Sequence, residues 1–386
     1  LFDRFSEIIK FETFGVNDLK QIFDQLSEVK ITSDAIEYIY PKFNRFRQIV
    51  QLINQLETVT KEKLEACKKN GINRISLGIQ SLCSGSLECV HRHCNPQNAL
   101  NALEMIAKNW DGRFSVDVIA GLPNADDEQF ISTIKKIIEY EPDHFSLYSL
   151  CIEEDTPFGK KIISGSEKSL EKIEDCADRQ WLKGRELLKQ NGYCQYEISN
   201  FAKKGFEAVH NSAYWNQEDY IGCGAGACGT LYSFGNTLKK INKIESYQNE
   251  INYSDLQGIR STNTTDMGEY ISFWKKNAEH SDLSFLEKDI PQEKELLDCE
   301  TEEYEFLMMG LRMLKGIDEE LFAERFCKNK CTGKSLLQRL NVNGSKWEEF
   351  KEKDYIKVYK NIHGKNVYAL NEEGILFLNP LLESLL

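Results

Sequence analysis

The sequence predicts an α/β fold: a partial (β/α) barrel of parallel strands followed by a C-terminal, mainly helical, winged-helix-like domain. Three stretches carry the barrel. After the turn signal Asn70-Gly71, Ile75, Leu77 and Ile79 alternate with small or polar residues, which is the period of a strand. From about Asn95 to Lys108, Ala99, Leu100, Leu103 and Ile106 fall on one side of a helix. Phe114 to Ile119 reads as a second strand, stopped by Gly121-Leu122-Pro123. Strand, helix and strand over this length form a βαβ unit, which requires parallel pairing. Ligands of such sheets sit beyond the carboxyl ends of the strands. Gln80, Arg92 and Asp117 are the polar groups near those ends and the first candidates for ligand contacts. The competing reading is ordinary polar residues at strand ends.

The remaining elements follow in order. Phe2 to Phe11 and Asn17 to Leu26 have helical spacing, and Ile36 to Tyr40 is a possible short strand. Arg45 to Leu56 is amphipathic, and Thr60 can cap a helix that runs to Lys69. Beyond Pro123, Asp126 to Tyr140 is a helix, Asp143 to Cys151 a strand, Ser169 to Asn191 a long helix ended by Asn191-Gly192, and Tyr193 to Ile198 a strand. Asn236 to Gln257 is polar and reads as a surface insertion or linker; Thr265 to Asn277 is helical. Tyr304, Leu307, Met308 and Leu311 mark a strong helix from Thr301 to Leu314. Three shorter helices, two strands across His363-Gly364 and a last helix from Glu372 complete the pattern. The predicted domains are a barrel over 1–235, a linker and helical connection over 236–300, and the winged-helix-like domain over 301–386. Winged helices often meet DNA, but Glu348, Glu349 and Glu352 favour structural packing here.

Formal net charge is −13, from 61 acidic and 48 basic residues, which argues against a protein built to hold nucleic-acid phosphates. No apolar run approaches bilayer-spanning length, so no integral membrane segment is expected. Twelve irregularly spaced cysteines suggest reduced thiols in a cytoplasmic protein. The opening Leu1-Phe2-Asp3-Arg4 is neither a signal peptide nor a methionine start, and the natural N-terminus is expected elsewhere.

Several separated motifs agree in order and spacing with one known family. They are Asn73-Arg74-Ile75-Ser76-Leu77-Gly78-Ile79-Gln80-Ser81, then Arg92, then Asp117-Val118-Ile119-Ala120-Gly121-Leu122-Pro123. His144-Phe145-Ser146-Leu147-Tyr148, Tyr196 to Ala202, His210-Asn211 with Tyr214-Trp215, and Tyr220 to Ala227 follow. From about residue 64 onward the chain resembles the radical SAM family of oxygen-independent coproporphyrinogen III oxidases and their HemW-type haem-chaperone relatives. The His-Asn-x-x-Tyr-Trp pattern resembles the chaperone branch.

The resemblance implies S-adenosyl-L-methionine (SAM) and a 4Fe-4S cluster as cofactors, and Gln80, Arg92 and Asp117 as SAM contacts. Their chemistry fits: an amide that donates and accepts, a guanidinium able to pair bidentately with a carboxylate, and a carboxylate able to accept from ribose hydroxyls. The family's order Arg-x-His is here His91-Arg92-His93-Cys94. Its glycine-rich and glutamate segments are not intact. Gly15 in Phe14-Gly15-Val16-Asn17 and Glu37 in Glu37-Tyr38-Ile39-Tyr40-Pro41 stand as remnants, with an apparent insertion over Lys42 to Glu57. The family's Cys-x-x-x-Cys-x-x-Cys does not occur, so no metal ligands are assigned in this chain and the cluster cysteines are expected upstream of Leu1. His210 is the candidate haem ligand, weighed evenly against a hydrogen-bonded core histidine. Tyr196-Glu197 is either a proton-handling pair or a buried hydrogen-bonded one. The expected function is haem binding and delivery to acceptor proteins; radical decarboxylation of coproporphyrinogen III is the rival reading, and a catalytically dead haem- or SAM-binding scaffold the third.

Overall fold

The computed structural model describes residues 59–89, 95–152, 156–164, 170–232, 257–277, 291–327 and 333–386. Gly15, Glu37 and Arg92 lie outside them, as do the elements expected before residue 59. Contacts divide the chain into two units, Leu1–Cys194 with Ser199–Phe206, and Gln195–Ile198 with Glu207–Leu386. Of the range 236–300, the described residues 258–263 and 292–297 supply two strands to a sheet of the second unit.

In the first unit, α1 (Lys61–Lys69) starts at Thr60, whose hydroxyl accepts from the Lys63 amide. The Asn70-Gly71 turn, with Gly71 at φ +78°, delivers the chain to β1 (Arg74–Gln80). Helix α2 (Ser84–Cys89) precedes α3 (Pro96–Asn109), which Asn95 caps and Pro96 opens. Next come β2 (Arg113–Ala120), α4 (Asp127–Ile138) and β3 (His144–Ser149). Asp126 and Gln129 close a reciprocal capping box at the start of α4. Then follow α5 (Pro157–Ile163), the long α6 (Leu170–Gln190), and the short strands β4 (Cys194–Gln195) and β5 (Asn200–Ala202). The strand expected over Tyr193 to Ile198 is cut to two residues. There the Gln195 amide turns back to donate to the Glu197 and Ile198 carbonyls, at 3.2 and 3.1 Å. The sheet runs β1-β2-β3-β5-β4, with β1, β2 and β3 parallel and β5 antiparallel to β3.

This sheet has one apolar and one polar face. Ile79, Val116, Val118, Phe145, Leu147 and Phe201 pack with Leu103, Ile106, Ile134, Ile137 and Trp181 of the surrounding helices in one buried cluster. Strand residues alternate between faces. The register Ser76↔Ser115↔His144 and Gly78↔Asp117↔Ser146 therefore puts a polar band across the other face.

In the second unit, α7 (Val209–Trp215) leads to the antiparallel sheet of β6 (Cys228–Tyr232), β7 (Gly258–Asn263) and β8 (Gln292–Leu297), with α8 (Met267–Asn277) between the last two strands. Helix α9 (Cys299–Gly310) starts two residues before the sequence expectation, because Asp298 accepts from the Thr301 amide and caps it. Strand β9 (Ile317–Asp318), α10 (Glu319–Phe322), a π-helical turn (Ala323–Cys327), α11 (Leu336–Leu340) and α12 (Trp347–Glu352) come next. The hairpin β10 (Ile356–Lys360) and β11 (Asn366–Leu370) pairs with β9 through β11, giving the winged-helix-like order, and α13 (Leu378–Glu383) ends it. Phe306, Phe322, Phe326, Trp347 and Tyr368 anchor its core. Nine described cysteines are free thiols; Cys299, against the expectation of reduced thiols throughout, is disulfide-bonded. No described helix is long and apolar enough to cross a membrane.

Candidate functional site

Gln80 closes β1 in a conformation side chains seldom take. Its φ is +67°, and the Ser81 amide donates to the Ile79 carbonyl at 2.8 Å, so the chain reverses over three residues. Such a turn with positive φ is rare and strained, and strain of this kind concentrates at ligand sites. The pairing with β2 slips here, from Gly78↔Asp117 to Gln80↔Val118. The Gln80 side chain folds back over Gly78: a Cβ on Gly78 would lie 2.7 Å from Gln80 Nε2. Gly78 also pairs in register with Asp117, so the bare glycine lies under the Gln80 amide and beside Asp117 on the neighbouring strand.

Asp117 sits mid-strand rather than at the end of β2, and is half-buried on the polar face. A directed chain of hydrogen bonds reaches it. Arg74 Nη2 donates to Ser115 Oγ at 3.0 Å, Ser115 Oγ to Ser76 Oγ at 2.8 Å, and Ser76 Oγ to the Asp117 carboxylate at 3.3 and 3.4 Å. The Ser76 hydroxyl thus approaches that carboxylate from the β1 side. His144, in the same band, is buried, and burial together with the nearby Arg74 charge pushes its imidazole down to about 4, so it is neutral near pH 7.

Ser76, Gly78, Ser115, His144 and Ser146 are the residues the sequence reading passed over as functional. A signal was available. Parallel strands buried on both faces read as continuous apolar runs, whereas these three alternate with polar residues, which points to a face that meets something other than a core.

A second candidate centre lies in the second unit. Helix α7 has no buried residue. His210 is exposed, which removes the core-histidine reading. Its ring meets Tyr214 edge-on at 4.8 Å, and Tyr214 meets Tyr220 at 4.7 Å. Val209 is 76% exposed and Ile221 63%, so an imidazole stands within a solvent-facing apolar and aromatic strip. Gly224 and Gly226, beyond it, take left-handed backbone in a turn, while the close backbone approach belongs to Gly222, whose Cβ would lie 2.4 Å from the Cys228 carbonyl oxygen. Tyr196 Oη accepts from the Ala208 amide before α7, and Glu197 is buried, in keeping with a packing role for that pair.

The sequence contains no Cys-x-x-x-Cys-x-x-Cys, and the described residues hold no group of three or more His, Cys, Asp or Glu side chains placed for a metal ion. These residues do not make a cluster site.

The model of the radical SAM superfamily matches residues 18–137. The haem chaperone HemW of Buchnera aphidicola (Schizaphis graminum) is 30% identical over 319 residues, covering 82% of this chain and 69% of that protein. The Escherichia coli haem chaperone HemW is 31% identical over 211 residues, covering 54% of each. Among solved structures, the radical SAM enzyme coproporphyrinogen III oxidase (HemN) from Escherichia coli aligns with a TM-score of 0.57 over 92% of this chain and 75% of that one; at 14% identity the likeness shows the fold.

Proposed function

The chain belongs to the HemW-type family of radical SAM proteins, and from that premise we propose that it binds haem on the exposed face of α7 and passes it to an acceptor protein. One observation carries the reading: His210 stands exposed beside Val209 and against the Tyr214–Tyr220 pair, with Ile221 also exposed next to Tyr220. Haem is a flat apolar plate with an iron that takes imidazole and rings that meet aromatic edges. A delivered ligand also favours an open face, because the acceptor must reach it.

The test is a hemin titration of the unmodified chain and His210→Ala. The variant is expected to bind about tenfold more weakly, a difference of ~1.4 kcal/mol, with a displaced Soret band. Superimposable Soret changes would remove His210 as the ligand.

In the first unit, Gln80 and Asp117 would hold SAM, joined by Arg92. Radical SAM chemistry draws on that cofactor beside an iron-sulfur cluster. What these side chains do is bind and orient: the amide offers one donor and one acceptor over Gly78, and the carboxylate accepts hydroxyl protons. Gly78→Ala would put a methyl 2.7 Å from the Gln80 amide nitrogen and push that amide away. Equilibrium dialysis with SAM should show roughly tenfold weaker retention, the scale of one or two lost hydrogen bonds. Retention equal to the unmodified chain would take Gln80 out of the site.

A further inference from the structure

The last turn of α7 is held by cations from elsewhere in the second unit. Arg325 donates from Nη1 to Gln217 Oε1 at 3.0 Å and from Nη2 to the Asn216 carbonyl at 3.3 Å. Lys315 Nζ donates to Asn216 Oδ1 at 2.7 Å, and the Arg312 guanidinium lies 5.8 Å from the Trp215 ring centre. Asn216 is the C-cap of α7, where cations oppose the partial negative charge of the free carbonyls.

Three further features exceed ordinary capping. Gln217 is 1% exposed and has φ +52°, a conformation a buried side chain keeps only when its surroundings hold it there. Arg325 comes from the π-helical turn Ala323–Cys327, is buried, and has its guanidinium 4.6 Å from the Phe306 ring centre. Turns of that kind are inserted irregularities that recur at functional sites. Gln217 also opens the turn to Tyr220, whose ring meets Tyr214, which in turn meets His210. The segment gripped by the guanidinium thus joins the two ends of the aromatic ladder beside the imidazole.

We propose that Arg325 is a positioning residue for haem recognition: through Gln217 it fixes the turn between α7 and Tyr220, and so the direction in which His210 presents its ring. The inference rests on the reading of His210 as haem ligand. Arg325 itself touches no haem; it acts through the backbone it holds. Lysine is no substitute, since one ammonium cannot replace a planar fork that spans two acceptors.

The test is a double-mutant cycle on the full chain with hemin as probe: unmodified, Arg325→Met, His210→Ala and the double variant. Arg325→Met is expected to weaken hemin about tenfold and broaden the Soret band, and to have no further effect once His210 is gone. A general structural role would instead give the same loss in both backgrounds, and that additivity overturns the proposal. Gln217→Gly guards against a folding artefact. Glycine takes positive φ without strain, which offsets only part of the cost of the lost buried acceptor, so urea unfolding of both variants fixes the conditions under which each is fully folded; under them hemin affinity is expected to fall in Gln217→Gly as in Arg325→Met. Hemin binding unchanged in Gln217→Gly would overturn the proposal alone, provided His210→Ala still weakens it. An unaffected His210→Ala would bring down the haem-ligand reading, and this inference with it.

Discussion

Gly121→Ala is expected to destabilise the first unit by about 2–5 kcal/mol, the sum of a left-handed backbone penalty of ~1–2 and an overpacking cost of ~1–3. Gly121 ends the Asp117 strand at φ +82°. A Cβ there would lie 2.4 Å from Ala177 Cβ and 2.8 Å from Ala177 Cα on α6. The helix cannot easily withdraw. Buried Gln180, one turn on, accepts from the Gly121 amide at 2.8 Å and donates to the Ala125 carbonyl at 3.1 Å. Arg179 and Lys183 both hold Asp127 of α4 at 2.8 and 2.7 Å. Thermal unfolding should show the midpoint falling by roughly 5–20 °C, at the ~2–4 °C per kcal/mol of units this size. Combining it with Ala177→Gly, which removes the struck methyl, should return part of the loss despite the ~1 kcal/mol helix penalty of glycine. A shift below about 1 kcal/mol for Gly121→Ala alone would show that α6 yields, and that the tight crossing does not define this end of the sheet.

The parallel sheet was legible because its signals are local. Asn70-Gly71, the alternation through β1, the Asn95 cap and the Gly121-Leu122-Pro123 stop each act within a few residues. The polar band was only half legible. Asp117 stood out as a charge, but Ser76, Ser115 and His144 acquire meaning only when the register lines them up across three strands. The role of Gly78 depends on where the Gln80 side chain folds, which no sequence period encodes. The sheet of β6, β7 and β8 was missed because the range 236–300 is polar, and β8 reads Gln-Glu-Lys-Glu-Leu-Leu with mostly exposed residues, without the apolar alternation of a half-buried strand. Helix α7 was legible as a motif and not as a helix: its seven residues bury none of themselves, so no apolar stripe announces it. Arg325, 108 residues from Gln217, was beyond any local rule.

Stability is expected to depend on pH with opposite signs in the two units. In the second unit, α9 carries four acids, Glu300, Glu302, Glu303 and Glu305. Arg339 engages Glu303 at 2.5 Å and Arg260 engages Glu305 at 2.6 Å. Glu302 is fully buried and neither of its oxygens finds a hydrogen bond among the described residues. The Arg325 charge attracts it, but that guanidinium donates to Gln217 and the Asn216 carbonyl. Burial therefore outweighs that attraction and, helped by Glu305 and Glu303, pushes the Glu302 carboxyl from 4.5 up to about 8. Between those two values the folded state holds a proton the unfolded chain has released. Stability must then fall as pH rises through that window, by at most ~1.4 kcal/mol per unit, reaching a few kcal/mol near its upper end. Glu302→Gln stays neutral throughout, so it should flatten the slope and leave the second unit more stable than the unmodified chain above pH 7, by on the order of 3 kcal/mol. His144 works in the other direction. Its folded value of about 4 lies below 6.5, so the unfolded chain binds the extra proton and the first unit loses stability as pH falls below 6.5. Urea titrations from pH 5 to 9 followed at both units separate the two. An alkaline slope unchanged in Glu302→Gln would mean that this carboxyl is not the group that titrates.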